Sequence, residues 1–225
     1  MARHVPHPPR YPFNHLAALR HLRACDPRLR ALIASAGRFQ LTLDRHPHPS
    51  DSLLRAIVYQ QLHATAATAI LARIHQHVGG GGFPSAAQLL RASDADLRTT
   101  GLSRQKIAAV RDLAEKTAAG SIPNWVALEA LSDDAIIERL TTVRGVGPWT
   151  VQMLLIFRLG RPDVLPLNDY GVQQGYQLAY HKRRLPTPKQ LAAAGEAWRP
   201  WRSVASWYLW QAVRLEREKV RAAAD

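Results

Sequence analysis

The residues with the most chemical content lie in two short stretches. Leu140-Thr-Thr-Val-Arg-Gly-Val-Gly-Pro-Trp-Thr150 sets two glycines around one apolar residue and follows them with proline and tryptophan. Gly145 and Gly147 let a backbone turn sharply and present amides at the start of a helix, and Pro148 suits a first helical position, which needs no N–H donor. Amides exposed at a helix N-terminus bind phosphate. Further along, Leu165-Pro-Leu-Asn-Asp-Tyr170 carries a lone carboxylate, Asp169. A carboxylate stabilises a developing sugar cation and orients or deprotonates water. A phosphate-gripping turn paired with such a group points to cleavage of the bond between a base and its deoxyribose.

These groups need a scaffold, and the apolar spacing is helical almost throughout. Leu16, Leu19 and Leu22, then Leu29, Leu32 and Ile33, recur at three- and four-residue steps. Asp26-Pro27 reads as a helix start. Ser50 or Asp51 caps an apolar helix from Leu53 to Gln61, and further helices are expected over 64–77, 84–91, 93–99 and 103–119. Ser132-Asp-Asp-Ala135 opens a helix ending near Leu140, and a second runs over 148–159. Three more follow, after Asn168, from about Pro188 and over 200–222. Phe39-Gln-Leu-Thr-Leu43 alternates like a short strand, but one strand cannot make a sheet. With no internal repeat and no alternation of strands with helices, the class is all-α.

The chain has 225 residues, 47% of them hydrophobic, enough for a sizeable core. Its formal net charge is +13, from 30 Lys+Arg against 17 Asp+Glu. That excess favours a polyanionic partner, with plain solubility as the competing reading. A single cysteine, Cys25, excludes an internal disulfide and a four-cysteine metal cluster. His46/His48 and His75/His77 are spaced so that a helix would splay them, and neither pair has an acid or cysteine to complete a metal site. Gly79–Gly82 lacks the Lys-Ser/Thr ending of a phosphate-binding loop. The first ten residues contain no apolar core of signal-peptide type, and no apolar run is long enough for a bilayer. The expectation is a cytoplasmic, nucleoid-associated protein with no membrane partner.

Val143-Arg-Gly-Val-Gly-Pro-Trp-Thr150 resembles the helix-hairpin-helix of DNA-binding proteins. With Asp169 added, the chain resembles the helix-hairpin-helix DNA glycosylases, and among them the DNA-3-methyladenine glycosylase II family. The resemblance runs from about Asn14 to Trp210. It rests on Ala56-Ile-Val-Tyr-Gln-Gln-Leu62, Gly101-Leu-Ser-Arg-Gln-Lys106, the hairpin, Pro166–Tyr170, and Trp198-Arg-Pro-Trp-Arg-Ser203 extended to Trp210. It implies a two-lobed all-α fold with a cleft between the lobes. Residues 1–13 would form a flexible arm and 14–50 would pack with the C-terminal helices. Residues 51–165 would make the central lobe, with the hairpin over 132–159, and 166–225 would complete the other lobe.

The resemblance also implies roles. Asp169 falls on the catalytic aspartate, and Trp149 and Trp210 on aromatic positions of the base pocket. Gly145, Gly147 and Thr150 fall on the phosphate grip. Gln61 or Leu62 would be the wedge that fills the duplex once a base is flipped out. The carbonyls of Thr141, Val143 and Val146 would hold a monovalent cation when DNA binds, with no other cofactor required. The partner would be double-stranded DNA with alkylated bases, of the 3-methyladenine and 7-methylguanine type, and the protein a monomer that leaves an abasic site.

Several residues admit a second reading or depart from the pattern. Asn168-Asp169 also reads as a helix N-cap. Asp163 is a competing acid, read as ordering its loop through Arg161 or a backbone amide. Arg104 and Lys106 fit either a phosphate contact or a solvated basic face, and Trp198, Trp201 and Trp207 fit the core. Bifunctional relatives place a lysine in the hairpin to form a Schiff base. Trp149 stands there instead, which implies hydrolysis without strand cleavage. Met153 stands where a bulky aromatic is common and implies a roomier base pocket. Tyr59 stands where relatives often have glycine. Two alternatives stay open, a DNA-binding module without catalysis and a bifunctional glycosylase/lyase.

Overall fold

The structure is a computed structural model that describes residues 11–223. Residues 1–10 of the expected arm lie outside the described residues. Every regular element among the described residues is helical: α1 (His15–Cys25), α2 (Pro27–Ala36), α3 (Pro49–Tyr59), α4 (Ala64–His77), α5 (Ala86–Arg91), α6 (Asp94–Thr99), α7 (Arg104–Ala118), α8 (Trp125–Glu129), α9 (Asp133–Leu140), α10 (Pro148–Phe157), α11 (Tyr170–Ala179), α12 (Pro188–Gly195), the short 3-10 turn Glu196–Trp198, and α13 (Arg202–Ala222). The all-α reading holds.

Local chemistry sets most of the starts. Asn14, Asp26, Ser93, Ser103 and Ser132 each accept a hydrogen bond from a first-turn amide of the helix they open. The start of α3 differs from expectation. Pro49 takes the first position, His48 accepts from Ser50 N–H, and Asp51 reaches back to His48 N–H at 3.0 Å. Asn124 caps α8, too short to show a period in the sequence. Residues 38–46 form no strand. Phe39 and Leu41 are buried in alternation, and Asp44 N–H donates to the Phe157 carbonyl at 2.6 Å, but among the described residues no strand pairs with them.

The chain forms two compact units. One joins the described residues up to Asp44 with Leu155 onward, and the other is Arg45–Leu154. The second division falls inside α10. In the Arg45–Leu154 unit α7 is central and packs against α3, α5 and α6 through Ile107, Val110 and Leu113. In the other unit α13 lies against α1, α2 and α11. Tyr11 and Phe13, at the end of the expected arm, pack there too, with the Tyr11 ring 5.0 Å from that of Phe39. No helix among the described residues is long and apolar enough to cross a membrane.

Asp26 ties this discontinuous unit together. Its Oδ1 accepts from Arg28 and Leu29 N–H and closes the start of α2. Its Oδ2 accepts from the Tyr180 hydroxyl and from Trp198 Nε1. Burial, then the Asp26 carboxylate, keeps the Tyr180 phenol protonated far above its ordinary pKa. Replacing Asp26 removes a cap and strands two donors, one of them on the fully buried Trp198. Asp26→Ala is expected to cost about 2–4 kcal/mol in urea unfolding, and Asp26→Asn, which keeps an acceptor, clearly less.

Candidate functional site

The hairpin lies in the Arg45–Leu154 unit between α9 and α10. Leu140, Val143 and Val146 are buried and anchor the turn from beneath. Val143 N–H donates to Leu140 O and Val146 N–H to Val143 O, which folds the chain back within a few residues. Gly145 has φ +78°, the left-handed region that glycine enters without penalty. A Cβ at Gly147 would meet open space, so the backbone there is accessible. The amides that open α10 lack intrahelical partners by geometry and form the anion-facing end of the helix.

Trp149 is 47% exposed at this end, and Met153 lies one turn on along the same face. Thr150 is 8% exposed. Its side chain therefore points to the interior, and only its amide suits a phosphate. The hairpin carbonyls fit the chemistry of a hard cation, which takes oxygen ligands. Val143 O already accepts one backbone hydrogen bond, while none of the turn's backbone bonds runs to Thr141 O or Val146 O.

Three side chains that spacing did not reveal support the turn. Gln60 Nε2 donates to Gly145 O at 2.8 Å. Asp112 Oδ2 accepts from Arg144 N–H at 2.7 Å, and its Oδ1 pairs with Lys116. Burial opposes the Asp112 charge, yet Lys116 and the Arg144 amide hold its carboxyl below the usual range. Lys106 is the third. It points inward, with Nζ donating to Val58 O at 2.5 Å and Gln60 O at 2.9 Å, and burial lowers its pKa. Neither the phosphate contact nor the solvated face describes it.

The same bonds place the wedge candidates. Gln61 and Leu62 sit in the turn between α3 and α4, next to Gln60. Gln61 has φ +56°, unusual for a residue with a side chain, and Leu62 is 39% exposed. The Gln60 clamp thus links this turn to the hairpin. Tyr59, the departure just before it, donates or accepts at Thr68 Oγ1 (2.8 Å) and lies under Arg55, so the helix end stays regular without glycine.

Asp169 and Trp210 belong to the other unit. Asp169 is the N-cap of α11, and its Oδ1 accepts from Val172 N–H at 2.7 Å and from Trp210 Nε1 at 2.8 Å. The residue is only 9% exposed. The Trp210 ring stacks on Phe157 at 5.5 Å. Two glycines permit this. A Cβ on Gly175 would lie 2.0 Å from Leu209 O, so the α11 and α13 backbones touch there. A Cβ on Gly171 would lie 2.8 Å from Trp210 Cδ1 and 3.1 Å from Asp169 Oδ1. Asp163, the competing acid, is held by Arg202 (Nε–Oδ1 2.7 Å) and Arg199 (Nη1–Oδ2 2.7 Å). It orders its loop through those two side chains and, as one of the two expectations had it, through a backbone amide, with Arg202 N–H donating to Oδ1 at 3.3 Å.

An all-helical chain with a glycine hairpin and a capped aspartate downstream defines a class. Residues 54–200 match the HhH-GPD superfamily of base excision DNA repair proteins, and the chain belongs to that superfamily. In sequence it is 35% identical to DNA-3-methyladenine glycosylase 1 of Schizosaccharomyces pombe, over 87% of this chain and 86% of that protein. In structure it is similar to S. pombe 3-methyladenine DNA glycosylase (Mag1) in complex with abasic DNA, with a TM-score of 0.78 over 87% of this chain and 95% of that one. It is also similar to the DNA-3-methyladenine glycosidase of Bacillus halodurans, at 38% identity and a TM-score of 0.81 over 91% and 92% of the two chains.

The packing at Gly171 is open to test. Gly171→Ala forces the Trp210 ring off its seat between Phe157 and Asp169. The expected outcome is a folded protein destabilised by about 1–3 kcal/mol, with the Trp210 indole N–H resonance shifted toward its free position. An unmoved resonance would contradict the contact.

Proposed function

We propose that the protein is a monofunctional DNA glycosylase that hydrolyses the N-glycosidic bond of alkylated bases in double-stranded DNA and leaves an abasic site. Its substrates would be bases of the 3-methyladenine and 7-methylguanine type. The observation that carries this reading is Asp169, a carboxylate fixed at a helix N-terminus by Val172 N–H and Trp210 Nε1 in a chain of this superfamily. Its relatives' names support the substrate class.

In the reaction the bond between C1′ and the base nitrogen breaks, and its electron pair leaves with the base. A purine alkylated at N3 or N7 is already cationic and departs neutral, so no general acid is needed. The sugar becomes an oxocarbenium cation, which the Asp169 carboxylate stabilises. Water adds at C1′ and gives its proton to Asp169, which passes it to solvent. The dipole of α11 favours a negative charge at this position.

Trp149, Met153 and Trp210 are the proposed base contacts, with indole faces attracting a cationic base. The amides of Gly145, Gly147 and Thr150 take phosphate, and Gln61 or Leu62 fills the gap left by the flipped base. Thr141, Val143 and Val146 would hold a monovalent cation through their carbonyls, adding positive charge beside that phosphate. No other cofactor is required. The hairpin contains no lysine, and the nearby Lys106 and Lys116 are engaged by Val58 O, Gln60 O and Asp112. Hydrolysis rather than Schiff-base chemistry follows. The protein would act as a monomer on cytoplasmic, nucleoid DNA.

Base release from a duplex treated with a methylating agent, read as alkali-labile sites, tests this. Wild type is expected to release methylpurines, and Asp169→Asn to lose at least about 100-fold in rate while still binding DNA. Binding without release by wild type would leave only a DNA-binding module, and a borohydride-trapped adduct would reveal a lyase. The roomier pocket at Met153 predicts release of several small alkylated bases. Met153→Trp should narrow that range, and a wild type confined to 3-methyladenine would refute the idea.

A further inference from the structure

The phosphate grip of the hairpin is made of backbone amides, so it accounts for little of the +13 excess. The longest run of consecutive Lys and Arg in the chain is Lys182-Arg183-Arg184, between α11 and α12. All three are exposed. Among the described residues none of them forms an ion pair, whereas Arg111, Lys116, Arg199, Arg202 and Arg214 each pair with an acid. They border a groove of about 1040 Å³ that Tyr176, Leu185 and Gln190 also line.

The loop's backbone is fixed at both ends. At the end of α11, His181 N–H donates to Leu178 O and Lys182 N–H to Gln177 O, closing the helix with His181 at φ +52° in place of the usual glycine. At the start of α12, Pro186 is buried, and Thr187 forms a capping box with Gln190. The three cations are therefore displayed from a set backbone, free of competing acids. Their Cα atoms span at most about 7 Å, and one strand of B-DNA carries a phosphate about every 3.4 Å along its axis. The backbone bends at Arg183 and Arg184, so the three cations fan out from one loop, which suits successive phosphates better than a single compact anion.

We propose that Lys182, Arg183 and Arg184 form a second DNA-backbone contact, independent of the hairpin; this rests on the glycosylase reading only in taking DNA as the polyanion. The test compares wild type, the triple variant Lys182→Ala/Arg183→Ala/Arg184→Ala, and a control, Arg217→Ala/Lys219→Ala/Arg221→Ala, that removes the same charge from the end of α13. Affinity for a duplex with an abasic-site analogue is measured across salt concentrations. The loop variant is expected to lower the slope of log affinity against log salt by about 2 to 3, at about 0.9 per lost phosphate contact, and the control by less than about 1. Equal changes in both variants would overturn the proposal. A second measurement uses wild type alone: duplex DNA should protect Lys182 from acetylation. Lack of protection would overturn the contact, and equal protection by millimolar inorganic phosphate would replace it with a small-anion pocket. Failure of the glycosylase reading would appear separately, as wild type that releases no methylpurine whatever its salt slope.

Discussion

The contact between the backbones of α11 and α13 is the constraint on which the candidate chemistry depends. It exists because Gly171 and Gly175, one turn apart on α11, present no side chain to α13. That approach brings Trp210 Nε1 within 2.8 Å of Asp169 Oδ1 and leaves its ring to stack on Phe157. The carboxylate is thereby held by two donors from different helices. A residue that only capped α11 would need one of them. The second donor fixes the carboxylate in space, which is what stabilising a short-lived cation requires.

The Arg45–Leu154 unit solves a comparable problem with side chains. The amides that this turn leaves exposed cannot also hold it together. Its stiffness comes from below, through Leu140, Val143 and Val146, and from beside, through Gln60 and Asp112. Lys106 spends its ammonium on two carbonyls at the end of α3, so Gln60 is itself braced. Helix α7 carries both Lys106 and Asp112 and serves as the beam for the hairpin and the Gln61-Leu62 turn together.

Much of this was legible in the sequence because it is local. The helix starts at Asp26, Ser103 and Ser132 rest on amides two or three residues away, so spacing suffices to find them. The hairpin glycines and Asp169 are legible for the same reason, as turn and cap chemistry, and the family resemblance gives each its role. What local spacing cannot show acts across the chain. Nothing near Asp163 in sequence indicates Arg199 and Arg202. Nothing near Gly145 indicates Gln60, and a basic residue three positions from a helix start gives no hint that it turns inward. Gly171 and Gly175 give no signal of their own, because a glycine inside a helix reads as a weakness until its neighbour is known. The alternation of Phe39 to Leu43 reports a buried extended segment correctly but says nothing about whether a partner strand exists.

Asp26 has one more consequence, and it concerns the order in which the chain is made. Its partners Tyr180 and Trp198 leave the ribosome long after α1 and α2 do, and the unit they complete is interrupted by Arg45–Leu154. The interrupting unit is continuous in sequence, so all its residues are available while the last third of the chain is still unmade. Domains generally fold as units during synthesis. The hairpin unit can therefore settle first, while α1 and α2 wait, with the Asp26 carboxylate unpartnered by Tyr180 and Trp198 and an apolar face uncovered, for the later helices to arrive.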